Sequence, residues 1–153
     1  MNMSSPSTNQ NDPQTNVEVR VLTLRILWMA LLMSVVINYV ITCFVKRPED
    51  VAPNPTLSMV LICVAVLAVL ISFLIKSRLL SKAIDQQHVG MVQQAYVVTW
   101  AIAEAAALLG LLDFFTTADR YYHALFIIGA LGLLLHFPRR ESVVNAAFKT
   151  GLV

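Results

Sequence analysis

Charged residues are scarce in this sequence. Asp, Glu, Lys and Arg make up only 13% of the 153 residues, whereas 58% are hydrophobic. Ordinary soluble domains contain about 25% charged residues, so this chain has too little polar surface to surround an apolar core in water. The net charge of +2 is too small, and the cations are too scattered, to form the basic surface that a nucleic acid partner requires.

The sequence also lacks the patterns that mark common catalytic and metal sites. It has no Ser/His/Asp set, no glycine-rich phosphate loop and no His-Glu-x-x-His motif. The three histidines, His88, His123 and His136, lie in separate places and cannot join in one metal site. The two cysteines, Cys43 and Cys63, lie in separate apolar segments, where we expect buried free thiols rather than a disulfide. We therefore predict no catalytic residue, no metal, no cofactor and no enzymatic activity.

Four long apolar segments contain most of the hydrophobic residues, and the lipid bilayer is the solvent that suits them. A helix needs about 20 residues to cross the hydrocarbon core, with a range of about 17 to 25, and only the fourth segment is short by this measure. Backbone groups in lipid must bond within their own segment, which favours helices over open strands. The sequence predicts an all-α membrane protein, a four-helix transmembrane bundle over residues 21–140, with spans at about 21–45, 56–76, 92–115 and 121–137.

The segments outside these spans are polar or amphipathic. Residues 1–20 begin with a run rich in Ser, Thr, Asn, Gln and Pro that has no Lys or Arg. This run is not a secretory signal, and we predict a disordered tail. Apolar residues recur at helical spacing after Lys76, so the second span is predicted to continue as an amphipathic helix. Residues 141–153 are predicted to form a short interfacial tail, and a surface helix and a frayed end are equal alternatives there.

The distribution of Lys and Arg predicts the orientation of the spans. The loops between spans that face the cytoplasm are enriched in these residues. One side of the predicted bundle, which includes both termini, carries most of the cations, whereas the other side carries only Lys46, Arg47 and Arg120. Both termini are therefore predicted to be cytoplasmic, and the short loops fit a cell membrane, in particular a bacterial inner membrane. The cations on the side of the termini are Arg20, Arg25, Lys76, Arg78, Lys82, Arg139, Arg140 and Lys149.

The third apolar segment contains a carboxylate near its midpoint. Glu104 lies about 15–18 Å from either end of the predicted span, at a rise of about 1.5 Å per residue. An ionised carboxylate at such depth costs several kcal/mol, so the group must be protonated, paired or in contact with water. A carboxyl group that exchanges a proton near neutral pH is the chemical basis of proton or cation transport, and Glu104 is our candidate ion-binding residue.

Small and polar residues are predicted to surround this carboxylate. Alanines and a glycine at small-x-x-x-small spacing let helix backbones approach closely in lipid. Polar residues at the same depth on the first span could bond to the carboxyl group, and glycine on the fourth span could provide a close contact. The supporting residues are Ser34, Asn38, Ala107, Gly110 and Gly129.

A short stretch around Glu104 resembles a known helix. Ala101-Ile102-Ala103-Glu104-Ala105, followed by Gly110-Leu111, is similar to the carboxylate-bearing helix of subunit c, the rotor ring subunit of F-type ATP synthases. The resemblance is confined to this part of the third span. It implies that Glu104 would be the ion-carrying carboxylate of a divergent relative of that subunit.

Other polar and aromatic residues carry weaker signals. Asp113 lies near the end of its predicted span and is expected to reach the interface and be solvated. Trp28, Tyr96 and Tyr122 are typical of interfacial anchors, because amphipathic rings concentrate at the headgroup level. Trp100 lies deeper in the span, and we expect it to pack between helices.

Two functions remain open at this point. The first is a non-enzymatic helix bundle that assembles with itself or with another membrane protein. The second is a proton- or cation-linked carrier or channel component that uses Glu104. The surroundings of the Glu104 side chain discriminate between them. Contact with lipid supports a rotor-like element, a wet cavity supports transport, and a hydrogen bond to another helix supports a structural role.

Overall fold

A computed structural model of the chain describes residues 13–47, 51–117 and 119–147. Within these ranges the chain is helical and contains no strand, so the prediction of an all-α protein is confirmed. Successive long helices run in opposite directions. The five helices are α1 (Pro13–Phe44), α2 (Pro55–Asp85), α3 (Val89–Thr116), α4 (Tyr122–Leu135) and α5 (Arg140–Ala147).

Three of these helices, α1, α2 and α3, are long and apolar enough to cross a membrane. Their outward faces consist of large apolar side chains such as Ile26 and Leu74, which are 61% and 65% exposed. Such faces suit lipid rather than water. Helix α4 has 14 residues and is about 21 Å long, which is shorter than the hydrocarbon core of about 30 Å. Helices α4 and α5 are bent by 45° and form one broken span if both lie in the membrane.

Helix α3 is the central helix of the bundle. In its most apolar window 44% of the residues are buried, against 17% in α1 and in α2. It packs against each of the other four helices. The side chains buried at its surface include large aromatic residues at one end, Tyr96 and Trp100, and alanines in the middle, such as Ala103 and Ala107. The neighbours of a polar group on α3 therefore depend on which helix packs against the face of α3 that carries the group.

Helix α1 begins at Pro13, eight residues before the predicted span. Residues 13–20, which we assigned to a disordered tail, therefore form the first turns of a helix. The reason is an apolar stripe, Val17, Val21 and Leu24, whose spacing of four and three residues places it on one helix face. These three side chains are buried in the core cluster that also contains Val143. Residues 1–12 lie outside the described residues.

Helix α2 continues well past the apolar segment. It begins at Pro55, where the Asn54 side chain accepts a hydrogen bond from the Leu57 backbone N–H at 3.1 Å. Such a cap satisfies a donor that the first turn leaves free. The helix ends only at Asp85, so the predicted amphipathic extension past Lys76 is confirmed as a helix. Ala83 in this extension is fully buried.

Helix α5 forms the region that was predicted as an interfacial tail. Of the two alternatives for that tail, the structure has a helix over residues 140–147. Val143 and Ala146 are buried in the same core cluster as Val17, Ala83 and Val92. Helix α5 therefore closes the space between the start of α1, the end of α2 and the start of α3. Residues 148–153 lie outside the described residues.

Both cysteines are free and exposed on the outward faces of α1 and α2. The prediction of free thiols is confirmed for Cys43 and Cys63, but the prediction that they are buried is wrong. In a membrane helix the outward face contacts lipid, so a weakly polar thiol needs no protein core around it. The Cys43 thiol donates a hydrogen bond at 3.6 Å to the Tyr39 carbonyl oxygen of its own helix.

Candidate functional site: the polar groups on α3

Glu104 lies in the contact between α3 and α1. Its side chain is half-buried, and Ser34 Oγ donates a hydrogen bond to Glu104 Oε1 at 3.0 Å. Among the described residues, Asn38 makes no hydrogen bond to Glu104. Asn38 is one turn farther along α1, about 6 Å from Ser34, so only one of the two is level with the carboxyl group. The structure thus brings Ser34 to Glu104, but not Asn38.

The small residues near Glu104 serve a different contact. A Cβ atom added at Gly129 would lie 2.7 Å from both the Cβ and the backbone N of Ala107, so α3 and α4 touch through their backbones here. A Cβ atom at Gly110 would lie 3.0 Å from a ring carbon of Phe126, also on α4. Ala107, Gly110 and Gly129 therefore pack α3 against α4. They do not enclose the carboxyl group, which points to α1 on the adjacent face of α3.

A groove between α1 and α4 lies beside this region. It has a volume of about 210 Å³ and is lined by apolar and aromatic side chains, including Val35, Tyr39 and Phe126. Glu104 is not among its lining residues. The structure therefore places the carboxyl group in a helix contact and not at the wall of this groove.

The end of α4 is a second polar site, which our sequence reasoning missed. The last carbonyl groups of a helix have no partner within it, and in lipid each unpaired group costs several kcal/mol. Trp28 Nε1 donates to the Leu133 carbonyl oxygen at 2.8 Å, and Trp100 Nε1 donates to the His136 carbonyl oxygen at 3.0 Å. Two indole groups from α1 and α3 thus satisfy the end of α4. Trp28 is not a simple interfacial anchor.

His136 connects the same helix end to α2. Its imidazole is fully buried, and Nδ1 donates to the Gly132 carbonyl oxygen at 2.7 Å, because a carbonyl can only accept. The second ring nitrogen, Nε2, lies 3.2 Å from Ser72 Oγ. The Ser72 hydroxyl in turn donates to the Val69 carbonyl oxygen at 2.6 Å. The histidine therefore has a structural position between two helices.

Tyr96 holds the turn between α4 and α5. Its hydroxyl accepts a hydrogen bond from the Arg139 backbone N–H and donates one to Ser142 Oγ, both at 3.2 Å. The Lys76 ammonium lies 4.7 Å from the centre of the tyrosine ring, in cation–π geometry. Pro138 in the turn is the sequence signal for the break, but the spacing of the aromatic residues gave no sign that they meet there.

A third polar site lies at the opposite end of the bundle, where α3 ends and α2 begins. Asp113 is fully buried, so our expectation that it is solvated is wrong. Ser58 Oγ donates to Asp113 Oδ1 at 2.8 Å, and Thr117 Oγ1 donates to the same oxygen at 2.9 Å. Asp113 Oδ2 is also buried and has no hydrogen-bond partner in the described part of the chain. The signal that we overlooked is the polar pair Asp113 and Thr117, which is four residues apart and shares one helix face.

Comparisons with known proteins add no family. The chain matches no protein-family model, no curated protein and no solved structure. The resemblance to subunit c therefore remains a prediction. In the ranges that the structure describes, no group of three or more His, Cys, Asp or Glu side chains could hold a metal ion. Function is therefore inferred from the polar contacts of α3.

Proposed function

We propose that this chain is a non-enzymatic, multi-pass membrane protein whose helix bundle assembles with a second copy of itself in the bilayer. The observation that carries this proposal is the hydrogen bond from Ser34 to Glu104. It gives the midplane carboxyl group a partner on a neighbouring helix, as a structural role requires. The Lys and Arg distribution supports cytoplasmic termini, and the short loops fit a bacterial inner membrane.

The outward face of α3 supports assembly with another copy. Ala101 and Ala105 are exposed on this face and are four residues apart, as small residues at helix contacts in membranes are. On the buried side of the same helix, Ala103 and Ala107 show what this spacing achieves, because there the backbone of α4 touches α3. The exposed pair offers the same close approach to a helix from outside the bundle.

Cysteine cross-linking tests the assembly. The background carries Cys43→Ser and Cys63→Ser, because both native thiols are exposed. We expect Ala105→Cys in this background to form a disulfide-linked dimer in membranes under mild oxidation. Leu67→Cys, on the outward face of α2 and also exposed, is the matched control and should remain monomeric. Equal cross-linking at both positions, or none at Ala105→Cys, would contradict the proposal.

A proton- or cation-linked carrier that uses Glu104 is the second candidate. The observation in its favour is that the side chain is only half-buried at the middle of α3, with a hydrogen bond to one carboxyl oxygen. A divergent relative of subunit c would use the same group. Proton and cation flux into liposomes, measured for the wild-type protein and Glu104→Gln, separates the candidates. Equal flux from both proteins removes the carrier function, and flux that depends on Glu104 removes the purely structural one.

A further inference from the structure

Asp113 is the most completely buried carboxylate in the described part of the chain, and its two oxygens differ in their number of hydrogen bonds. Ser58 and Thr117 both donate to Oδ1, whereas Oδ2 is buried without a partner among the described residues. An ionised carboxylate offers about four acceptor positions. A buried charge that lacks partners on one side is unfavourable unless something else neutralises it.

We propose that Asp113, Ser58 and Thr117 form a binding site for a monovalent metal cation such as Na⁺. The three side chains are each fully buried or nearly so. Their oxygens are close together, since Ser58 Oγ lies 2.8 Å from Asp113 Oδ1 and 3.2 Å from Thr117 Oγ1. Carboxylate and hydroxyl oxygens are hard ligands, which suit hard cations. The single negative charge of the site matches one positive charge, whereas a divalent ion would leave a net buried charge.

The hydroxyl groups can serve as cation ligands because each has a second acceptor for its proton. Thr117 Oγ1 lies 3.0 Å from the Asp113 carbonyl oxygen. Ser58 Oγ lies 3.5 Å from the Asn54 carbonyl oxygen. When each hydroxyl turns its proton to its backbone carbonyl, its lone pairs and both carboxylate oxygens become available to a cation. The site then offers four oxygens from three side chains.

A proton satisfies the same site less well. A proton on Oδ1 would compete with the two hydroxyl protons that already point to that oxygen. A cation needs only lone pairs and so avoids this competition.

Other charged groups lie at this end of the bundle, and they include Lys46, Arg47, Asp119 and Arg120. The Arg47 guanidinium packs over the rings of Phe114 and Tyr122, at 5.1 and 4.8 Å from their centres. Asp119 follows the end of α3, and its Oδ2 is likewise buried without a hydrogen-bond partner in the described ranges. Arg47 is the protein's own competitor for the role of counter-ion, and the test must include it.

Thermal unfolding of the full-length protein in detergent micelles tests the site. The NaCl concentration is varied while choline chloride keeps the ionic strength constant, and circular dichroism follows the helix content. We expect the melting temperature to rise with Na⁺ and to saturate, with a total rise of about 5 °C. Identical melting temperatures in NaCl and choline chloride would overturn the proposal.

Variants assign the effect to these residues. Asp113→Asn should abolish the rise, and Ser58→Ala should increase the half-saturating Na⁺ concentration about tenfold, as expected when one ligand contributing about 1.4 kcal/mol is lost. Glu104→Gln is the matched control, because it removes the other carboxyl group of α3 and should keep the full Na⁺ effect. Should Asp113→Asn fail to fold, the Ser58→Ala result decides. An unchanged Na⁺ dependence in Ser58→Ala would then contradict the site.

Two further measurements separate the cation from its competitors. Infrared spectra of the wild-type protein at neutral pH in NaCl should lack a protonated carboxyl band from Asp113. A protonated carboxyl band that is present in the wild-type protein and absent in Asp113→Asn would overturn the proposal in favour of a proton. A Na⁺ effect that appears only in Arg47→Gln would show that arginine is the counter-ion in the wild-type protein, which would also overturn it. Because the site does not involve Glu104, its failure leaves the proposed function untouched.

Discussion

The two carboxylates of α3 have opposite environments. Glu104, near the middle of the helix, is half-buried and accepts a hydrogen bond from Ser34 on α1. Asp113, near its end, is fully buried and accepts two hydrogen bonds at one oxygen. Glu104 and Asp113 are nine positions apart, which corresponds to about 2.5 helical turns, so the two groups lie on opposite sides of α3. One meets α1 and the other meets α2.

This difference shows that depth along a membrane helix does not determine burial. The midpoint of α3 is far from both ends, yet the face that carries Glu104 borders the outward surface, where Ala101 and Ala105 are exposed. The end of α3 is close to the interface, yet the face that carries Asp113 is covered by the first turns of α2. The helix face decides which neighbour satisfies a polar group, and therefore which role the group can have.

The largest expected effect removes the donors of Asp113. The double variant Ser58→Ala/Thr117→Val leaves a buried carboxylate without hydrogen bonds, and we expect it to lower the free energy of unfolding by about 2–5 kcal/mol. Ser34→Ala, which removes the donor to Glu104, is the control and should cost less than about 1 kcal/mol. Unfolding in mixed detergent micelles measures both. Equal losses would show that the two carboxylates are equivalent after all.

Gly129→Ala tests the face of α3 that packs on α4. The new Cβ atom would overlap both the Cβ and the backbone N of Ala107, so we expect a loss of stability of up to about 3 kcal/mol. Gly90→Ala is the matched control. Its Cβ atom would meet only the His88 side chain, at 2.9 Å, and a side chain can move aside. A change in Gly129→Ala as small as that in Gly90→Ala would mean that the two helices are less tightly packed than the structure shows.

Trp100→Phe tests whether buried polar contacts matter at the second polar site, the end of α4. The substitution keeps an aromatic ring but removes the N–H that bonds to the His136 carbonyl oxygen. We expect a loss of about 2 kcal/mol, since a buried acceptor is left unpaired. Trp28→Phe should cost less, because the Leu133 carbonyl oxygen still accepts a hydrogen bond from the His136 backbone N–H at 3.2 Å. Thermal unfolding of both variants checks this, and wild-type stability in Trp100→Phe would show that water replaces the indole.

The smallest expected effect is at Glu104 itself. Glu104→Gln keeps an oxygen acceptor for Ser34, so we expect a change in stability of about 0.6 kcal/mol or less. A double-mutant cycle of Glu104→Ala and Ser34→Ala should give a coupling energy of about 0.6 kcal/mol, with an upper value of about 1.7 kcal/mol. A larger coupling energy would show that Glu104 is as strongly hydrogen-bonded as Asp113. The two carboxylates would then no longer differ in the strength of their hydrogen bonds.

Most of the helical architecture could be predicted from hydrophobic segments alone. The third span was predicted over 92–115, and α3 covers Val89–Thr116, because a long apolar run in lipid has no alternative to a helix. Matching depths from one end of the bundle placed Ser34 beside Glu104, since α1 and α3 run in the same direction. The start of α1 was not predicted, because the stripe around Val17 forms a helix through contacts with residues more than a hundred positions away.

The polar sites could be predicted less well, because they depend on the rotation of each helix about its own axis. Periodicity gives the residues that share a face of α3, but it does not say which helix that face meets. Asp113 was therefore expected to be solvated, and Trp28 was assigned to the interface. The indole of Trp28 instead reaches a carbonyl oxygen 105 residues later in the chain. Pairings across such distances need the tertiary structure.

The short helix α4 has a consequence for how the protein is made. Within the described residues, the side chains from other helices that bond to the end of α4 all precede it in the sequence: Trp28 on α1, Ser72 on α2 and Trp100 on α3. A ribosome therefore delivers all of these partners to the membrane before α4 emerges, since chains are synthesised from the N-terminus. Helix α4, which is too short to cross the hydrocarbon core alone, therefore enters the membrane after the three helices whose side chains bond to its end.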